Sequence, residues 1–259
     1  MKMSKIHNTA IIHPSAQIAD DVEIGAFAVI GENVKIDKGV IIRPYAHVEF
    51  AEIGENSMIY SGAIIGTEPQ DLGYKNEPTK VVIGKRVQVR EYVTINRASG
   101  EGGVTQVGDE CLLMTNAHLG HNTKLANNVI LANNVILAGH VKVEKRAFLG
   151  GTMVVHQHCR IGEMAIMSGF SGTRQDVPPY AKTDGRPAKV AGINSVGLKR
   201  AGVSDEDRNI IKHAYKLLFY SGLNTTQALE AIEKEMPADN PYVKHLVEFI
   251  KSSKRGIIK

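Results

Sequence analysis

Five histidines fall within a short span of the chain: His118, His121, His140, His156 and His158. Imidazole is the side chain best suited to moving a proton near neutral pH, and it is also a common metal ligand. The spacing sharpens this. Asn122, His140 and His158 follow one another at intervals of 18 residues, and so do His121, Gly139 and Gln157. Two chemistries compete for such a set. Three neutral imidazoles converging on one ion would make a zinc site, as in the gamma class of carbonic anhydrases. Alternatively, one histidine takes the proton from an attacking hydroxyl or amine during acyl transfer. The backbone N–H of Gly139, in Leu137-Ala138-Gly139-His140, would then meet the developing oxyanion, because glycine allows close approach.

An interval of 18 brings side chains together only if the backbone returns to the same place every 18 residues, and the sequence carries that period. Every sixth residue from Val107 to Met167 is apolar: Val107, Leu113, Leu119, Leu125, Leu131, Leu137, Val143, Leu149, Val155, Ile161 and Met167. A period of six fits neither a plain helix nor a plain strand and marks a hexapeptide-repeat parallel β-helix. Three hexads close one coil, and residues 18 apart stack about 4.8 Å apart in neighbouring coils. The repeat begins at Ile6 and holds through Ile12, Ile18, Ile24, Ile30, Ile36, Ile42 and Val48. It slips by one residue, resumes at Ile53, Ile59 and Ile65, and continues at Ile83, Val89 and Ile95. The misses are Asp71, Glu77 and Glu101. They fall in residues 67–80 and 97–106, which are rich in Gly, Pro and charge and read as loops thrown out from the scaffold. Asn116, Asn122, Asn128 and Asn134 recur every six residues, as expected for corners that need left-handed backbone, with Asn122 also a candidate for the site.

The β-helix is expected over residues 1–180, a linker or a last strand with loops over 181–202 and a helical C-terminal domain over 203–259. Three helices are expected in that domain. The first is capped by Ser204 ahead of Asp205-Glu206-Asp207, the second runs from about Thr225 to Met236, and the third starts at Asn240-Pro241. Charge is uneven. Residues 1–180 hold 17 Lys/Arg against 18 Asp/Glu, whereas residues 181–259 hold 14 against 9. A basic end of the chain suits an acidic partner or a phosphorylated ligand, and no nucleic-acid-binding motif accompanies it. Cys111 and Cys159 form no metal or redox motif. The first ten residues lack the apolar core of a signal peptide, and no apolar run is long enough to span a membrane, so a cytoplasmic protein without membrane insertion is expected.

Longer runs carry a resemblance. They include Pro69-Gln70-Asp71-Leu72, Asn116-Ala117-His118, Leu131-Ala132-Asn133-Asn134, Leu137-Ala138-Gly139-His140-Val141, Val155-His156-Gln157, Gln175-Asp176-Val177-Pro178-Pro179-Tyr180, Gly197-Leu198-Lys199-Arg200 and Ala214-Tyr215-Lys216. In these the chain resembles, over essentially its whole length, the UDP-N-acetylglucosamine acyltransferases that begin lipid A synthesis in Gram-negative bacteria. The resemblance implies an all-β left-handed parallel β-helix with a C-terminal α-helical appendage, and a homotrimer with its active sites between subunits. It implies transfer of a (R)-3-hydroxyacyl chain from acyl carrier protein to the 3-position of the UDP-sugar, with no cofactor and no metal. His121 matches the family's general base and Gly139 its oxyanion donor. Gln70, Asp71, His118, His140, His156, Gln157, Asn194 and Arg200 match substrate-binding positions. Gly169 matches the position that sets acyl-chain length, where a glycine leaves room for a long chain. Lys199, Lys212, Lys216 and Arg255 are expected to meet the acidic carrier protein. Two positions depart from the family pattern. Asn122 stands where many members have Asp beside the catalytic histidine, and Gly73 where many have Lys. Both raise the alternative that the acceptor is a 3-amino sugar, giving an amide.

Overall fold

The hexad is the unit of construction throughout the computed structural model, which describes residues 5–259. The first four residues of the expected 1–180 span lie outside the described residues. Each hexad is a two-residue strand, such as His118–Leu119 or Ile136–Leu137, followed by a four-residue corner. The second residue of the strand points inward and the first outward, as the alternation of a strand requires. Three strands close a coil, and the stacked coils build three sheets, here called A, B and C in the order the chain visits them. Register follows the 18-residue interval. Leu113, Leu131, Leu149 and Met167 pair in succession in sheet A. Leu119, Leu137, Val155 and Thr173 do so in sheet B, and Val107, Leu125, Val143 and Ile161 in sheet C. These inward residues are buried almost without exception, and full burial of each Leu or Ile contributes roughly 1.5–3 kcal/mol.

A second inward column, two residues before the first, was not read from the sequence. It consists of small residues: Val22, Ala28, Val87, Cys111, Ala117, Thr123, Val129 and Cys159 are all buried. Cys111 and Cys159 thus serve as corner fillers, and burial pushes both thiols up to about 11. At the opposite side of each corner one residue adopts left-handed backbone. Asn116 (φ 61°), Asn122 (59°), Asn128 (61°) and Asn134 (59°) all do so, as expected, and so do His140 (61°) and His158 (63°).

The one-residue slip near Val48 is a shortened hexad in which Ile36 pairs with Ile53. There Gly66 (φ 87°) lies so close to the Glu49 carbonyl that no side chain would fit. Both expected loops are present, with shifted ends. The first is irregular over 66–79, because Lys80 already begins the strand Lys80–Ile83. The second covers 96–103, because Val104–Val107 extends a strand of sheet C in register with Lys80–Ile83. Both loops leave sheet B and return to sheet C, so they issue from the same corner of the prism, one coil apart.

Residues 181–202, expected as a linker or a last strand with loops, form two strands that extend sheet A and a short helix. Ala181–Asp184 adds to sheet A beside Ile166–Met167, and Lys189–Ile193 folds back antiparallel on it. Helix α1 (Ser195–Arg200) follows, which the sequence reading did not anticipate. Helices α2 (Asp205–Phe219), α3 (Thr225–Glu235) and α4 (Pro241–Lys251) match the three expected, capped by Ser204, Asn224 and Asn240. The C-terminal end is fastened to the last coils. The buried Asp176 carboxylate accepts from Arg160 Nε at 3.1 Å and from Ser253 Oγ at 2.8 Å, and the Arg160 guanidinium lies 4.1 Å over the Phe249 ring.

Candidate active site

The corner between sheets B and C carries the histidines on successive coils. His121 and Asn122 follow Leu119, Gly139 and His140 follow Leu137, and Gln157 and His158 follow Val155. The His121 ring meets the His140 ring edge to face at 5.1 Å, and the His140 and His158 rings stack at 4.5 Å. Burial, and then the charges of His158 and His121, push the His140 imidazole below its ordinary value. Among the described residues no group of three or more His, Cys, Asp or Glu side chains is placed to share a metal ion.

Hydrogen bonds fix how His121 is presented. Its Nδ1 lies 2.8 Å from Asn122 Oδ1. The amide nitrogen of Asn122 is already committed, donating to the Ser99 carbonyl at 3.0 Å, so Oδ1 is the atom that faces the ring and it can only accept. In the neutral ring Nδ1 therefore carries the proton and Nε2 the lone pair. That Nε2 is turned toward Gly139, where an added Cβ would collide with it. Among the described residues no backbone partner takes up the Gly139 N–H. A base nitrogen thus lies against a residue whose N–H no backbone carbonyl takes up, two groups of the kind that acyl transfer uses.

The two loops close in from the coils below. Asn96 Nδ2 donates to the Glu68 carbonyl at 2.7 Å, Arg97 Nη1 to the Gly66 carbonyl at 2.9 Å, and Arg97 Nε to the Tyr74 hydroxyl at 3.2 Å. So tied, the loops bring Ser99 and Asp71 to the Nδ1 side of His121: Ser99 Oγ is 3.3 Å and Asp71 Oδ2 4.0 Å from Nδ1. The Gly73 N–H, 2.9 Å from Asp71 Oδ1, and then the Ser99 hydroxyl hold the Asp71 carboxyl below the usual carboxylate range. The loop also alters the corner itself. At other corners the left-handed residue donates its N–H to a carbonyl one coil earlier, as His140 does to His121 at 2.9 Å and His158 to Gly139 at 3.1 Å. Below Asn122 that corner has been replaced by the loop, and the Asn122 N–H donates to Thr105 Oγ1 at 2.9 Å instead. Ser99 and Thr105 were not singled out in the sequence. A serine in a Gly-rich loop and a threonine in a strand carry no signal of their own.

Other expected residues fall further off. His118 sits on the outer face of sheet B with Nδ1 2.7 Å from Thr94 Oγ1, and burial pushes it below its ordinary value. His156 begins the corner on the same coil as Gln157 and lines a groove of about 710 Å³ with Val154, Gly172 and Arg186. Gln70 is exposed in the first loop. Gly169 lies at the corner between sheets A and B, beside the exposed Phe170. Asn194 caps α1, accepting from Gly197 N at 3.0 Å and donating to the Met164 carbonyl at 2.8 Å, at the corner between sheets C and A. Arg200 and Lys199 are exposed at the end of α1. Lys212 and Lys216 line a groove of about 680 Å³ with Lys182 and His213. Arg255 is elsewhere, beside His140, His158 and Lys142, with Nε donating to the Arg174 carbonyl at 2.9 Å.

Comparison with known proteins gives the family. A family model described as UDP-N-acetylglucosamine O-acyltransferase, domain 2, matches residues 176–258, and one described as the GMPPB C-terminal domain matches residues 6–99. The acyl-[acyl-carrier-protein]--UDP-N-acetylglucosamine O-acyltransferase of Thermodesulfovibrio yellowstonii is 49% identical over 99% of this chain and 100% of its own length. That of Herminiimonas arsenicoxydans is 44% identical over the same shares. The crystal structure of LpxA from Acinetobacter baumannii superposes with a TM-score of 0.95 at 38% identity, covering 98% of this chain and 99% of that one. A hexapeptide-repeat β-helix with a histidine and a free amide at one corner defines the class, a β-helical acyltransferase. Within that class the chain belongs to the UDP-N-acetylglucosamine O-acyltransferase family.

Proposed function

We propose that this protein transfers a (R)-3-hydroxyacyl group from acyl carrier protein to the 3-position of UDP-N-acetylglucosamine, the first step of lipid A synthesis, with His121 as general base. The observation that carries the role of His121 is the approach of its Nε2 to Gly139, whose N–H has no backbone partner. In the reaction Nε2 takes the proton from the sugar hydroxyl as its oxygen attacks the thioester carbonyl. The Gly139 N–H donates to the oxyanion of the tetrahedral intermediate. Collapse breaks the carbon–sulfur bond, and the departing thiolate takes the proton back from the His121 imidazolium. Ester and free carrier-protein thiol result, with the base restored and no cofactor consumed.

His121, Gly169 and Asn194 stand at three different corners of one chain, which supports a homotrimer whose sites form where subunits meet. The outer face of sheet B between Gly169 and Gly139, with the exposed Ile136, is an apolar floor suited to an acyl chain. The cations at Lys199, Arg200, Lys212 and Lys216 suit the acidic carrier protein and the nucleotide phosphates. Both substrates belong to the cytoplasm, and we place the protein there.

The test is product analysis by mass spectrometry. Purified protein receives 3-hydroxyacyl carrier protein with UDP-N-acetylglucosamine, and separately with its 3-amino analogue, beside His121→Ala. Ester product that disappears in the variant is expected. Product from the amino sugar alone would move the acceptor atom from oxygen to nitrogen, and no product with either, from folded protein, would overturn the reading. A light-scattering mass of one chain would overturn the trimer.

A further inference from the structure

His121 has no carboxylate bonded directly to its Nδ1, yet the imidazolium formed during transfer needs a compensating charge. The neighbours facing it from each packed element are few. Its own corner supplies Asn122, the second loop Ser99, the first loop Asp71, and the next coil His140, with His158 and Lys142 behind. Of these, Asp71 alone is an anion.

Asn122 makes a two-point match with the loop backbone: Ser99 N donates to Oδ1 at 3.0 Å and Nδ2 donates to the Ser99 carbonyl at 3.0 Å. Only an amide can do both, since a carboxylate has no proton to donate. This pairing fixes Ser99, whose hydroxyl lies within 3.3 Å of His121 Nδ1 and 3.2 Å of Asn122 Oδ1. Asp71 stands behind it, 4.0 Å from the same nitrogen. It is on the far side of the ring from Nε2 and Gly139, and therefore from the atoms that react.

Resting on His121 as the base, we propose that Asp71 is a positioning residue that stabilises the imidazolium across the Ser99 hydroxyl, and that Asn122 is the clamp holding Ser99 in that place. The charge that an aspartate at residue 122 would bring is supplied instead from the first loop, and an amide at 122 is what the second loop requires. The Asn122 side chain thus has a structural task that the acceptor atom of the sugar does not set.

The experiment is a set of kcat/KM and kcat profiles against pH for the full-length protein, Asp71→Asn, Ser99→Ala and Asn122→Asp, using whichever sugar the product assay identifies. Asp71→Asn is expected to lower kcat about 10–100-fold, to change KM for the sugar nucleotide less than threefold, and to move the acid limb of kcat/KM to lower pH. The sign follows because removing an anion disfavours the protonated ring. Ser99→Ala should move both quantities in the same direction by less. Asn122→Asp should lower activity, because the new carboxylate repels the Ser99 carbonyl and loosens the loop. Melting temperatures near wild type show that the variants fold. A rise in KM for the sugar with kcat and the acid limb unchanged in Asp71→Asn would overturn the proposal and make Asp71 a substrate contact. Failure of the base assignment reads differently: His121→Ala would keep its activity whatever the Asp71 variants do.

Discussion

The His121 ring occupies the space a side chain at residue 139 would need, so this glycine is required by its neighbour and not by its own backbone, whose φ is ordinary. Gly139→Ala would push the imidazole off its position. A displacement of about 1 Å at a reacting group costs on the order of 100-fold in rate. We expect kcat/KM to fall by at least about that much while stability changes by about 1 kcal/mol or less, which steady-state kinetics and thermal melting would report together. Activity within a few-fold of wild type would contradict the assignment of this amide. His140 allows a complementary separation. It holds the left-handed corner position that asparagine fills at 116, 122, 128 and 134, so the fold does not need an imidazole there. His140→Asn should keep or slightly raise the melting temperature, and a loss of activity would then report on substrate contact or on the packing against His121, and not on the fold.

At the scale of elements, the hexads were legible because their main inward position is purely apolar and strictly periodic. The second inward column was not, because Ala, Val, Cys, Thr and Ser alternate there and none of them announces burial. The loops were visible as breaks in the period, but their common corner was missed. Counting would have found it. Ile65 and Ile95, after which the loops begin, occupy the same third of the coil as Leu119, so both loops had to emerge directly below His121. The carboxylate and hydroxyl they deliver depend on how Asn96 and Arg97 tie loop to loop, and no spacing rule encodes that. Helix α1 was hidden by its length of six residues, and the second strand of 181–202 by the absence of the hexad period. The corners themselves make a direct test. Asn134 has left-handed backbone (φ 59°), and its backbone N–H donates to the Thr115 carbonyl at 3.1 Å. Asn134→Gly should leave the melting temperature nearly unchanged. Asn134→Val should cost about 1–2 kcal/mol in a denaturant titration, because a branched Cβ opposes positive φ. Equal stability of the two would mean that the corners relax and the asparagine ladder is not structural.

For the whole molecule, the helical domain must keep its place on the β-helix if the cations of α1 and α2 are to face the same substrates as His121. One fastening pairs Arg160 with the buried Asp176 carboxylate. Another titrates. His245 on α4 lies 3.0 Å by Nε2 from Glu144 Oε2, 3.6 Å by Nδ1 from Glu163 Oε2, and 3.0 Å from the Tyr180 hydroxyl. The hydrogen bond with Glu144 pushes the His245 imidazole above its ordinary value. Burial opposes this, and the charges of Glu144 and Glu163 add to it. A group whose value is raised on folding stabilises fully below its unfolded value, about 6.5 for histidine, and loses that contribution as pH rises through the folded value. The stability difference between wild type and His245→Gln should therefore be largest in mildly acidic solution and should shrink as pH rises past neutrality. Denaturant titrations of both proteins across that range would measure it. A difference that stayed constant, or grew with pH, would mean that His245 docks as a neutral ring and that the helical domain is held by packing and by its other hydrogen bonds.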